Sequence, residues 1–387
     1  FVTGVQTCAL PILLTNKEIT LPKPKILIIS AIHAREYATA EVNLRFAEYL
    51  VHSYGSAPDV TWLLDYHEIH LMFYANPDGR KMAETGLLWR KNTDHDDGCA
   101  NPELWGTDLN RNFSYYWNCC NGSSGNPCAE TYRGPAPASE PETQAIQEYL
   151  RAQFPDLRED TLEATAPLTA SGILLDLHSY GGLVLWPWGF VYRLPPNSAA
   201  LQTLGRKLAY FNGYEPKQAV SLYPTDGAAE DFAYGELGLA AYTIELGTAF
   251  FQDCATFENV IWPTNLPALL YAAKAARFPY LTPAGPDVSE LSISPQTVLS
   301  GTPVLLKATV DDTRYNHSLG AEPTQNIAAA WYYVDVPPWL TTTVPISHPM
   351  TATDGAFDEK VEQVEAVLDT GGLSPGRHIV FVRGQDT

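Results

Sequence analysis

The strongest constraint in this sequence is a set of short apolar runs, each ending on a residue able to hold a metal or move a proton. Ile26-Leu27-Ile28-Ile29-Ser30-Ala31-Ile32 runs into His33, and Glu36 follows three residues later. Residues 173–177 run into His178-Ser179-Tyr180, and residues 240–244 into Glu245. Their length and β-branching predict buried strands. Between the runs lie amphipathic segments. Residues 38–51 place Val42, Phe46, Tyr49 and Leu50 at helical spacing, and residues 53–58 end that helix. Residues 69–74 predict another strand, closed by the turn Asn76-Pro77-Asp78-Gly79. Residues 140–154 predict a second helix with Ser139 as its cap. Strand alternating with helix implies a doubly wound α/β sheet with helices on both faces. Ligands of such sheets bind beyond the carboxyl ends of the strands.

After residue 280 the texture changes. Residues 278–286 carry three prolines in nine positions and read as a stiff linker, placed at 281–287. Residues 298–310, 328–334 and 378–382 then predict strands between Gly/Pro/Asp turns. The expectation for 288–387 is a partial all-β immunoglobulin-like or fibronectin-like sandwich, an accessory domain whose partner its sequence does not specify. At the other end, Val5-Gln6-Thr7-Cys8-Ala9-Leu10-Pro11-Ile12 resembles the translation of a DNA-sequencing adapter. Residues 1–12 are therefore set aside as non-native, and 13–280 taken as a first domain shortened at its N-terminus. The second domain is expected to be cut short at its C-terminus.

Charge and cysteine content narrow the functional classes. With 24 Lys+Arg against 44 Asp+Glu, the net charge of −20 argues against nucleic acid, whose phosphates need clustered cations. No run approaches the ~18 apolar residues of a transmembrane segment. Cys99 and Cys128 bracket a Gly/Asn/Ser-rich stretch, as a disulfide-stapled loop would. Cys119 and Cys120 are adjacent, with Cys254 a partner for one of them, and an odd thiol is left over. The cysteines favour a secreted, extracellular location.

Two imidazoles and two carboxylates at strand ends suit a catalytic zinc site of two His, one Glu and water. Singly, His33-x-x-Glu36 is weak, and any one His is more often a core or loop residue. His67-Glu68-Ile69-His70 lacks the spacing of a helical zinc motif, and in a strand its two rings face opposite sides, so it is rejected.

Seven motifs in order carry a resemblance: His33-Ala34-Arg35-Glu36, Asn76-Pro77-Asp78-Gly79, Trp89-Arg90-Lys91, Asp108-Leu109-Asn110-Arg111-Asn112, Cys128-Ala129-Glu130-Thr131-Tyr132-Arg133-Gly134, His178-Ser179-Tyr180 and Ile244-Glu245-Leu246. Together they resemble the zinc metallocarboxypeptidases of the carboxypeptidase A, B and T type. That resemblance implies a mixed sheet and one Zn2+ per chain held by His33, Glu36 and His178. Asp108 is similar to the carboxylate that orients a ligand imidazole. Glu245 is similar to the general base of a zinc-water mechanism, and Arg90 to the cation that stabilises the oxyanion. Asn110 and Arg111 are similar to the pair that grips a free C-terminal carboxylate. Tyr223 is similar to the tyrosine that closes over the terminal residue, and Arg35, Ser179 and Tyr180 to further substrate contacts. Glu230 aligns with the position that sets charge preference, which implies a terminal Lys or Arg.

The resulting expectation is a secreted carboxypeptidase acting on peptides or proteins with a free C-terminus. Two other readings keep the fold: a zinc amidase or peptidase of peptidoglycan stem peptides or acyl-amino acids, and a non-catalytic extracellular binding protein. Intact Glu245 and Arg90 speak against the last.

Overall fold

The computed structural model describes residues 11–387. The adapter-like opening therefore falls outside the described residues except for Pro11 and Ile12. The chain divides into two units: one runs to Thr282 and takes in Asn316–Gly320, and the other holds Pro283–Tyr315 and Ala321–Thr387.

In the first unit the strands are β1 (Ile12–Leu14), β2 (Lys25–Ser30), β3 (Glu68–Met72), β4 (Ile173–Ser179), β5 (Leu183–Trp186), β6 (Glu215–Gln218) and β7 (Ala240–Leu246). The helices are α1 (Tyr37–Ser53), α2 (Pro58–Tyr66), α3 (Pro77–Ala83), α4 (Pro141–Gln153), α5 (Ser198–Asn212), α6 (Ala229–Leu237), a short α7 (Cys254–Thr256) and α8 (Trp262–Ala275). The strands form one sheet in the order β1-β3-β2-β4-β7-β5-β6. β3, β2, β4 and β7 are parallel neighbours, while β1 and β5 run antiparallel to β3 and β7, so the sheet is mixed. Ile26–Ile29 and Leu174, Leu175 and Leu177 are fully buried, as continuous apolar runs in a covered parallel sheet require. α8 packs on α1 and α5, and α6 packs on β4 and β7.

Several local expectations are corrected. Asn76-Pro77-Asp78-Gly79 is the start of α3: the Asn76 side chain accepts the Gly79 N–H at 2.9 Å, and Pro77 needs no donor partner at a first helical position. Ser139 does not cap α4. The cap position is Glu140, and the Ser139 hydroxyl is spent on the Glu140 carboxylate at 2.7 Å. Residues 53–58 do end α1, but Pro58 at once opens α2.

The topology fixes where a ligand sits. From β2 the chain crosses to β3 on one side, whereas from β4 it goes on to β5, β6 and β7 on the other, and β2 and β4 are neighbours. That reversal opens a crevice beyond their carboxyl ends, where His33 and His178 lie.

The second unit contains β8 (Asp287–Ser294), β9 (Val304–Asp311), β10 (Ile327–Val334), β11 (His348–Ala352), β12 (Val361–Leu368) and β13 (Val380–Asp386). These form an antiparallel domain in the order β13-β10-β11-β12-β9-β8, in which the start of β11 pairs with β10 and its end with β12. Its core gathers Leu306, Ala308, Val310, Ile327, Ala330, Met350 and Val364.

Phe46 lies wholly buried on the α1 face in the core of the first unit. Phe46→Ala is expected to lower that unit's stability by ~3–5 kcal/mol, read from the shift of its urea-unfolding midpoint.

Candidate active site

Each side chain of the site is delivered by a strand end or by the loop it feeds. His33 follows β2, in a loop held by the Asn76 amide donating to Ile32 O at 3.1 Å. Glu36 is the first turn of chain before α1, where Thr39 and the loop backbone fix it. His178 lies in β4 and stands directly beside Glu245 of β7 in the parallel register.

The three expected ligands converge. His33, Glu36 and His178 are buried, with one donor atom from each lying within 4.8 Å of the others. The His33 and His178 Nδ1 atoms are 3.1 Å apart, and Glu36 reaches them at 2.8 and 3.1 Å. A tetrahedral zinc with bonds of ~2.0–2.1 Å needs donors roughly 3.3 Å apart. The outer nitrogens decide the tautomers. His33 Nε2 lies 3.0 Å from Asp108 and His178 Nε2 2.9 Å from Asp176. An ionised carboxylate only accepts, so each Nε2 donates outward and both Nδ1 atoms face inward, where a metal ion would take them as ligands. Two Nδ1 atoms 3.1 Å apart beside a shared carboxylate need a proton or a metal ion between them. The residues fit zinc.

The buried cluster attracts positive charge, and a proton on His178 occupies the place a metal ion would take. Burial pushes the Glu36 carboxyl up, but the imidazoles of His33 and His178 outweigh it and hold the group well below the usual carboxylate range. Burial would lower the His178 imidazole, yet Asp176 and Glu36 outweigh that and raise it. Asp108 is fully buried and fully used. Its Oδ1 accepts from His33 and the Asn110 N–H, and its Oδ2 accepts Arg90 Nε and Nη2 at 3.0 and 2.9 Å. Against burial, Arg90 and His33 keep it ionised. Burial is also the main influence on Glu245, which is pushed up to about 7.

One cavity is lined by His33, Arg90, Asn110, Arg111, His178, Tyr223, Glu230 and Glu245, together with Thr225, Ala228 and Thr243. Tyr223 is half exposed and Glu230 is buried; the Glu230 Oε2 has no hydrogen-bond partner among the described residues. Burial, reinforced by Asp176, pushes the Glu230 carboxyl up. Arg35, Ser179 and Tyr180 are not among the lining residues. Arg35 binds Glu130 and Leu88 O and lies 4.2 Å over the Phe250 ring, against which Tyr180 packs edge-on. Ser179 contributes its backbone N–H to Glu36 at 3.0 Å.

Sequence reading missed Asp176, although a strand's period of two places it on the same face as His178. It also missed Lys91, whose ammonium donates to the carbonyls of Leu104, Pro127 and Ala129 and so ties together the loop that the Cys99–Cys128 disulfide closes. Cys119 bonds to Cys120 and Cys254 is exposed with no disulfide partner among the described residues, so neither of the adjacent pair reaches it. His67 and His70 take no part in the site, His70 being bonded to the Tyr149 hydroxyl. In a second convergence of acids, Asp97 accepts from Thr107, Glu140 from Asn92 and Ser139, and Asp94 from the Asp96 N–H.

The zinc carboxypeptidase family model matches residues 9–265. The chain belongs to the zinc carboxypeptidase family. Among curated relatives, bovine carboxypeptidase B is 32% identical over 251 residues, covering 62% of this chain and 56% of its own length. Rat mast cell carboxypeptidase A is 32% identical over 256 residues, covering 64% of this chain and 58% of its own. The chain thus spans little more than half of these relatives. Among solved structures, thrombin activatable fibrinolysis inhibitor superposes with a TM-score of 0.59 at 26% identity, over 68% of this chain and 64% of that one. The carboxypeptidase A of Helicoverpa armigera shares the fold, with a TM-score of 0.55 at 23% identity over 70% and 69% of the two chains. Membership in this family implies zinc, for which this chain supplies two imidazoles and one carboxylate.

Removing Asp176 frees the His178 ring to turn. Asp176→Ala is expected to weaken zinc binding by ~10–100-fold in a chelator competition, with Asp176→Asn, which still accepts from Nε2, losing less.

Proposed function

We propose that this chain is a secreted metallocarboxypeptidase that removes C-terminal residues from peptides or proteins, with one zinc held by His33, Glu36 and His178. The observation that carries the reading is that Asn110 and Arg111 share one cavity with the two metal-binding imidazoles, His33 and His178, and with Glu245. A C-terminal carboxylate gripped by Arg111 brings the last peptide bond to the hydrolytic groups.

The chemistry supplied by zinc at these donors is polarisation of a carbonyl and acidification of water. Glu245 takes the proton of the attacking water and returns it to the leaving amine. Partial burial pushes it up to about 7, which suits a base poised near neutrality. Arg90 spends Nε and Nη2 on Asp108, which leaves Nη1 for charge developing on the scissile oxygen. Tyr223, half exposed at the cavity, closes over the bound terminus, while Arg35 and the exposed Tyr180, packed together on Phe250 outside that cavity, meet the upstream peptide, with the buried Ser179 serving only to hold Glu36. Glu230 supports a preference for terminal Lys or Arg: a buried carboxylate oxygen without a donor is costly, and a substrate cation would satisfy it. Secretion is supported by the Cys99–Cys128 disulfide, and no helix among the described residues is long and apolar enough to cross a membrane. The second unit is read as an accessory sandwich module.

The test is mass-spectrometric, on matched peptides ending in Lys, Arg, Phe, Leu or Glu, each as free acid and amide. Zinc-loaded protein is expected to release single residues from free acids only, fastest from Lys and Arg, and to fall silent on prolonged chelation. Glu245→Gln should lower kcat by ~10²–10⁴-fold. Cleavage of amides, or activity that survives chelation, contradicts the reading. Glu230→Leu is expected to shift preference to apolar termini; unchanged selectivity would remove Glu230 from the account.

A further inference from the structure

We propose that Asp226 is a positioning residue for Arg111, acting through the backbone of the loop that follows the Cys119–Cys120 disulfide. The inference rests on the reading of Arg111 as the grip for a C-terminal carboxylate.

Asp226 is completely buried, three residues after Tyr223 in the segment leading to α6. All its visible partners come from one short stretch of distant chain. Its Oδ2 accepts the backbone N–H groups of Cys120 at 3.2 Å and Gly122 at 2.9 Å, and its Oδ1 accepts the Ser123 hydroxyl. A carboxylate accepting three donors holds that loop much as a cap holds a helix end, by charge-assisted bonds stronger than neutral ones.

The same loop then orients Arg111. The Gly122 carbonyl accepts Arg111 Nε at 3.1 Å, and the Asn110 carbonyl accepts Arg111 Nη1 at 2.5 Å. With these two positions committed to backbone, the planar guanidinium has one orientation, and its remaining N–H groups are available towards the cavity. The three segments involved are laced closely. A Cβ on Gly122 would come within 2.4 Å of the Thr225 carbonyl carbon, and one on Gly227 (φ +67°) within 2.5 Å of Arg111 O. Gly227 O also accepts the Phe113 N–H at 3.0 Å. The disulfide between adjacent Cys119 and Cys120 closes a small ring that includes the first carboxylate-held residue and so restricts the loop's alternatives. Removing the Asp226 carboxylate therefore releases Gly122, and with it the carbonyl that aims Arg111.

The deciding measurement is kcat and KM for a peptide with a free C-terminus, taken for Asp226→Ala, Asp226→Asn, Arg111→Ala and the double variant Asp226→Ala/Arg111→Ala. Zinc content and Tm are measured alongside. Asp226→Ala is expected to raise KM about tenfold with kcat within about twofold, and Asp226→Asn to recover part of the loss. In the Arg111→Ala background, Asp226→Ala should add less than about twofold, because the residue it acts through is gone. Effects that multiply in the double variant, or a loss confined to kcat, overturn the proposal. If Asp226→Ala does not fold, Ser123→Ala removes one donor only; it should raise KM about two- to threefold with Arg111 present and not without it. Equal KM for Ser123→Ala and wild type overturns the proposal in that case. Arg111→Ala leaving KM unchanged would overturn this inference together with the carboxypeptidase reading. Arg111→Ala raising KM while Asp226→Ala does not would overturn this inference alone.

Discussion

Everything at the site depends on the hydrogen bonds that two buried carboxylates make to the outer nitrogens of two imidazoles. Asp108 holds His33 and Asp176 holds His178, so each Nε2 donates outward and both rings turn Nδ1 towards Glu36. Without those bonds the rings could rotate or exchange tautomers, and three donors would no longer point to one place. Asp108 carries a second burden, since its other oxygen fixes Arg90. One carboxylate thereby sets the distance between a metal ligand and the cation that faces the substrate.

The fold makes this arrangement possible by bringing strand ends to a common level. β2, β4 and β7 are parallel neighbours with matched register, so that Glu245 lies beside His178 and the chain after β2 delivers His33 into the same crevice. The surrounding core is wholly apolar at Ile26–Ile29, which leaves the polar groups only the strand ends to occupy. Burial then shapes the chemistry. It pushes Glu245 up to about 7, while stronger charge contacts keep Glu36 and Asp108 ionised.

Much of this was legible in the sequence, for identifiable reasons. Runs such as 26–32 and 240–246 could hardly be anything but buried strands, and the residues closing them have types that do chemistry. β5 and β6 were not legible, being four residues each, with Pro216 inside the second. β11 and β12 of the second unit escaped for a similar reason, since Glu and Gln interrupt the apolar alternation of Val361–Leu368. At the site, the ligands and Glu245 stood out through ordered motifs, whereas Asp176 needed the strand period to be applied backwards from His178. Asp226 could not be found from sequence at all, because its partners lie about a hundred residues away in the chain. The adjacent cysteines show the same limit: spacing alone left Cys254 open as a partner, and the loop geometry closes the pair on itself.

The central claim, that carboxylates fix both imidazoles with Nδ1 inward to hold one zinc, is tested most directly by anomalous diffraction at the zinc edge from crystals grown with equimolar zinc. The account predicts a single strong peak bonded to His33 Nδ1, His178 Nδ1 and Glu36, with nitrogen distances of ~2.0–2.1 Å. A peak bonded through either Nε2, or one lying at Asp94, Asp97 and Glu140 with the His33 site empty, would contradict it.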